Sequence, residues 1–82
     1  MKLASLPAWT KILLLHEEGD NNIKLSKKTG LQYDTVLKNI SLLEEKGAVT
    51  RETRGRETMV ALTFEGLMIK GALIIIETTT KK

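Results

Sequence analysis

No cysteine occurs in this 82-residue chain, which excludes disulfide staples, thiolate metal sites and thiol redox sensing together. His16 is the only histidine, so a multi-histidine metal site within one chain is excluded too. Aromatic residues are almost absent. Trp9, Tyr33 and Phe64 are the whole set, and the core must therefore be aliphatic. Catalytic signatures are missing as well: there is no glycine-rich phosphate loop and no nucleophile with a paired base. His16 stands near Glu17, Glu18 and Asp20, but nothing completes a metal or catalytic site around them. An acidic helix end of this kind reads as solvated surface, and a lone histidine on a helical stripe reads as structural. Neither an enzyme nor a cofactor is expected. No apolar run approaches the roughly 20 residues of a membrane span. No N-terminal stretch joins a basic start to a signal-like apolar core and a cleavage site, so a cytoplasmic location is expected.

What is present suits one folded domain spanning residues 1–82. The chain is 41% hydrophobic and 28% charged, too apolar for global disorder. Its net charge of +3 favours a polyanionic partner only mildly. The distribution says more. Between residues 24 and 51, Lys24, Lys27, Lys28, Lys38, Lys46 and Arg51 face only Asp34, Glu44 and Glu45. A solvated helix surface would explain such an excess equally well.

A first helix is expected over about residues 7 to 18. Pro7 suits a first turn and Ser5 a cap before it. Trp9, Ile12, Leu13 and His16 repeat at the spacing of one buried stripe. The run Gly19-Asp20-Asn21-Asn22 supplies a stop and a turn, and Ile23 is expected to add a very short strand. A second helix over about 24 to 29 ends at Gly30, which can turn sharply in the left-handed region. Leu31 then points back to the core. The third helix, about 33 to 46, has Val36, Ile40 and Leu43 on its inward stripe and stops at Gly47. Gln32 is a weak cap for it, although Asp34 suits its first turn. Two short helices joined by a tight turn form the layout of a helix-turn-helix, whose second helix enters the DNA major groove.

Residues 49–53 and 58–62 are rich in β-branched and apolar side chains, separated by a polar, glycine-containing break. That predicts a hairpin with Arg54, Gly55 and Arg56 at its tip. Thr63 then caps a final helix over about 64 to 77, with a frayed tail from Thr78 to Lys82. In that helix Lys70 is the only charge among Leu67, Met68, Ile69, Ala72, Leu73, Ile74, Ile75 and Ile76. Wrapped helically, these side chains point nearly everywhere, more than one domain face can bury. Burial against a second chain is the preferred solution, with Leu67, Met68, Leu73, Ile74 and Ile75 at the dimer interface and Gly66 and Gly71 permitting close approach. A strand over residues 73–76 or burial within a monomer remain the alternatives.

Taken in order, Leu25-Ser26, Thr29-Gly30-Leu31, Thr35-Val36, Ile40, Leu43-Glu44-Glu45-Lys46-Gly47, Val49 and Leu62-Thr63 with Gly66 give the chain its resemblance. It resembles winged helix-turn-helix transcription regulators of the MarR, ArsR and PadR type over about residues 7 to 77. The resemblance implies a mainly α fold with a small β-hairpin wing. It implies that Gln32, Tyr33, Asp34 and Thr35 open the recognition helix, with Lys38 and Asn39 one turn on. Asparagine can read an adenine edge, as can glutamine if it reaches the groove. Lys27, Lys28 and Lys38 would bind phosphate, and Arg54 and Arg56 would bring the wing to the minor groove or backbone.

Some positions depart from the family pattern. Leu37 and Leu42 are apolar where DNA-facing or polar residues are common, leaving Leu37 either a thymine-methyl contact or inward packing. Asp34 would oppose phosphate unless it serves the helix start, and Glu52 and Glu57 flank the wing arginines. The resulting expectation is a homodimeric, sequence-specific repressor bound to double-stranded DNA. A protein-interaction module and a non-specific DNA-binding chromatin or replication accessory are the alternatives.

Overall fold

The computed structural model describes residues 7–80. Among them, four helices and one hairpin follow in the order α1 (Ala8–Leu15), α2 (Asn22–Thr29), α3 (Tyr33–Glu45), β1 (Val49–Arg54), β2 (Glu57–Leu62) and α4 (Phe64–Thr80). Ile12, Leu13, Leu25, Val36, Ile40, Leu43, Ala48, Val49 and Val60 form one buried cluster between them. The core is aliphatic throughout, with Trp9, Leu31, Leu62 and Leu73 packed at its edge.

α1 starts where expected. The Pro7 carbonyl accepts from the Thr10 and Lys11 amides and from the Thr10 hydroxyl at 2.6 Å; the expected cap Ser5 lies outside the described residues. The helix ends at Leu15, three residues earlier than the stripe predicts. His16 is the reason. It leaves helical geometry at φ −63°, ψ 135° and directs its Nε2 to the Val60 carbonyl, 2.5 Å away. This lone histidine is buried and structural.

The loop between α1 and α2 lies along β2 like a partial third strand. Asn21 pairs with Met59, and the Val60 amide donates to the Asp20 carbonyl at 3.0 Å. The strand expected at Ile23 is therefore displaced to Asn21. The Asn21 side chain accepts from the Lys24 amide at 2.8 Å, so the helix starts at Asn22 and Ile23 faces solvent from its first turn. An asparagine cap decides this, because it satisfies an amide that the first turn leaves open.

Gly30, at φ +73°, closes α2 with its amide on the Ser26 carbonyl. Ser26 and Thr29 then bracket the turn, the first donating to the Leu31 carbonyl and the second accepting from its amide. α3 buries Val36, Ile40 and Leu43 as its period requires. The hairpin is antiparallel from Val49↔Leu62 to Arg54↔Glu57, with Gly55 and Arg56 at the turn. Thr63 joins it to α4, donating to the Gly47 carbonyl at 2.5 Å and accepting from the Gly66 amide at 3.1 Å.

Residues 73–76 are helical rather than strand, and the helix continues through Thr80, past the expected fraying at Thr78. Gly66 does serve a close approach, but within its own chain: a Cβ there would collide with the Ala48 carbonyl. No helix among the described residues is long and apolar enough to cross a membrane.

Candidate nucleic-acid interface

Burial of Val36, Ile40 and Leu43 turns the opposite side of α3 outward. Gln32, Tyr33, Asp34 and Lys38 are exposed there, and Thr35, Leu37 and Asn39 are half-buried beside them. The residues read from sequence as the start of a recognition helix thus share one accessible end. Gln32 makes no side-chain capping bond, so the amide-rich, partially positive end of α3 stays open to an anion. Asn39 is less free. Its Nδ2 donates to the Thr35 carbonyl at 2.8 Å, and a bidentate contact to an adenine edge requires that bond to break.

The lysines of α2 differ from one another. Lys27 is exposed in the last turn and enters no ion pair among the described residues. Lys28 folds back onto the end of α1, meeting Asp20 at 2.6 Å and Glu17 at 2.7 Å. It also donates to the Leu15 carbonyl at 3.1 Å, so it caps α1 with a positive charge where the helix dipole favours one. Hydrogen bonds to Asp20 and Glu17 raise the Lys28 pKa. Burial pushes the Asp20 carboxyl up, but Lys28 and the Glu17 amide outweigh it and hold the group below its ordinary value. Its expected role at phosphate competes with a built-in clasp, and no spacing in the sequence announced that clasp.

The wing carries a similar division. Arg51 is spent on Glu44 of α3 at 2.6 Å, which lowers the Glu44 pKa through its hydrogen bond and ties β1 to α3. Arg54 lies 3.1 Å from its neighbour Glu52, with both side chains exposed. Such a pair is weakly held in water. Arg56 is exposed at the turn. The basic excess counted between residues 24 and 51 therefore contracts to Lys24, Lys27, Lys38 and Lys46, with Arg56 and a loosely held Arg54 added by the wing.

The residues expected at a dimer interface also separate. Leu67, Met68, Ile74 and Ile75 are exposed, whereas Leu73 packs against the core of its own chain.

Four helices with a hairpin between the last two are an arrangement found among solved structures. The PcaV transcriptional regulator from Streptomyces coelicolor is 24% identical, with 87% of this chain and 54% of that chain covered at a TM-score of 0.78. A MarR transcriptional regulator from Methanosarcina mazei Go1 is 23% identical, covering 88% and 55% at 0.77. The fold is a MarR-type winged helix. An Archaeoglobus fulgidus protein is similar over nearly its whole length, at 22% identity, 92% and 90% coverage and a TM-score of 0.80. The chain spans about half the length of the first two. No family model matches it, and no curated protein does. Within this winged helix, α2 and α3 make the helix-turn-helix and β1–β2 the wing.

Proposed function

We propose that this chain is a cytoplasmic, homodimeric transcription regulator that binds double-stranded DNA as one winged-helix domain and represses by occluding promoters. The observation that carries the reading is the open N-terminal end of α3, where Gln32, Tyr33 and Lys38 stand clear of the core with Thr35 half-buried beside them. Inserted into a major groove, this end presents side-chain donors and acceptors to base edges. Lys27 and Lys38 hold phosphates on either side, and Arg54 and Arg56 extend the contact from the wing. Two such helices in a dimer meet half-sites about one helical turn apart. Lys28 contributes less than its charge suggests, because two carboxylates already neutralise it.

Fluorescence anisotropy tests this on two duplexes, one from the promoter upstream of the chain's own gene and one of randomised sequence, at two salt concentrations. Selective binding to the promoter that survives the higher salt supports a specific regulator. Equal binding that collapses with salt replaces it with a non-specific accessory role. Absence of binding at both salts rejects the DNA reading, and binding unchanged by Lys38→Ala with Arg54→Ala rejects this contact face.

A further inference from the structure

We infer that Asn21 is a positioning residue that ties the wing to the helix-turn-helix and holds Glu57 away from Arg54, leaving that arginine for phosphate. The inference rests on the DNA reading proposed above and adds what sets the wing for contact. Loop residues 16–21 run beside β2 and hold it at successive points. The Val60 carbonyl accepts from the His16 ring at 2.5 Å, the Val60 amide donates to the Asp20 carbonyl at 3.0 Å, and Met59 bridges to Asn21. The hold nearest the wing tip is between side chains. There the Asn21 Nδ2 donates to the Glu57 Oε1 at 3.2 Å.

One amide side chain thus serves two elements. Its oxygen accepts from the Lys24 amide at 2.8 Å and starts α2, while its nitrogen reaches the wing. Capping alone does not call for asparagine. Aspartate caps a helix as well and adds a negative charge that the helix start favours. What an aspartate carboxylate lacks is a donor. Asn21 is only 6% exposed, and a buried donor left without a partner is costly. Glu57, on the exposed wing, supplies the acceptor, and its charge makes the bond stronger than a neutral one.

The same bond decides where the charge of the wing goes. Arg54 and Glu57 are direct cross-strand partners at the end of the ladder, and opposite charges so placed attract. Yet no ion pair joins them among the described residues. Arg54 meets Glu52 instead, at 3.1 Å through Nε, with both side chains 67% exposed. An exposed pair of this kind is weak, and a phosphate offering paired oxygens to the guanidinium displaces it. A Glu57 carboxylate released by Asn21 would stand opposite Arg54 and compete with DNA for it. Asn21, buried beside the wing, therefore acts on DNA through Glu57 and Arg54.

A double-substitution cycle on the full chain tests this. Asn21→Asp keeps the capping oxygen but sets a carboxylate against Glu57. It is expected to retain helical circular dichroism, to weaken binding to the promoter duplex roughly 5-fold and to lower the salt slope by ~1. Without DNA, hydrogen exchange at the Val60 amide should accelerate about 5- to 10-fold, the size of one lost hydrogen bond. Glu57→Gln alone keeps an acceptor for Asn21 and should change either property by less than about 2-fold. Combined with Asn21→Asp, it supplies the missing donor and reverses the polarity of the bond at unchanged net charge. Both properties should then return to within about 2-fold of wild type. A Glu57→Gln effect that is the same factor in both backgrounds overturns the inference. An Asn21→Asp chain that fails to fold and is not rescued by Glu57→Gln overturns it too. A wild-type chain that binds no duplex overturns the DNA reading and the role of Arg54 with it. Wild-type binding with purely additive substitutions overturns the inference and leaves that reading standing.

Discussion

α3 and α4 are the two longest helices among the described residues, and they treat their outer sides in opposite ways. α3 buries Val36, Ile40 and Leu43 and turns Asp34, Lys38, Ser41 and Glu45 to solvent. α4 packs Leu73 inward yet leaves Phe64, Leu67, Met68 and Ile75 uncovered. A helix that needs only its own domain has one apolar stripe; a second stripe implies a second surface to cover it. The same small domain therefore presents a polar helix suited to a groove filled with water and phosphate, and an apolar helix suited to protein.

The strongest way to break the comparison is to truncate an apolar residue on each helix. Ile40 is fully buried in α3, so Ile40→Ala should cost about 2–5 kcal/mol in denaturant unfolding. Ile75→Ala at low concentration should leave monomer stability nearly unchanged and weaken self-association instead. Equal losses of monomer stability would mean that the outer side of α4 is covered by its own chain.

The glycines of α4 extend the contrast with a smaller effect. Gly66→Ala drives a methyl into the Ala48 carbonyl, and backbone must move to relieve it at a cost of about 1–3 kcal/mol. Gly71→Ala, with open space around it, should stabilise the monomer by up to ~1 kcal/mol through helix propensity. Thermal melts at low protein concentration separate them, and shifts of the same sign would refute the assignment of the two glycines.

Local codes made much of this legible beforehand. The stripe of α3, the left-handed Gly30 and the Thr63 cap each depend on residues a turn apart, and each stands where the sequence places it. The failures are long-range. The end of α1 is set by Val60, 44 residues from His16. Asn21, not Ile23, meets β2 because its side chain starts the helix early. The site behaves alike: periodicity identified the exposed end of α3, but could not tell that Lys28 and Arg51 are bound to carboxylates. Nor could it tell that the Asn39 amide is engaged by Thr35.

The Lys28 clasp ties α2 to the end of α1, and Asp20 is its buried half. Asp20→Ala removes the acceptor for both Lys28 and the Glu17 amide and should cost about 1–2 kcal/mol at neutral pH. The sign with pH follows from the lowered carboxyl pKa. Stabilisation is complete above the ordinary value of 3.8 and is lost as pH falls through the lower folded value. Wild type and variant should therefore converge in acid. A difference that persists to the lowest pH at which both fold would show that the carboxylate charge is not what Asp20 contributes.

The smallest effect belongs to Lys38, and it completes the contrast between the helices. The residue is exposed on α3 and enters no ion pair among the described residues, so removing it leaves the fold untouched. At a phosphate it releases about one counterion, and Lys38→Ala should reduce the salt slope of DNA binding by ~1. Self-association should not change. Ile75→Ala should weaken dimerisation and leave the per-site salt slope intact. If each substitution altered both properties equally, the two helices would not be independent surfaces, and DNA and partner would share one face of the molecule.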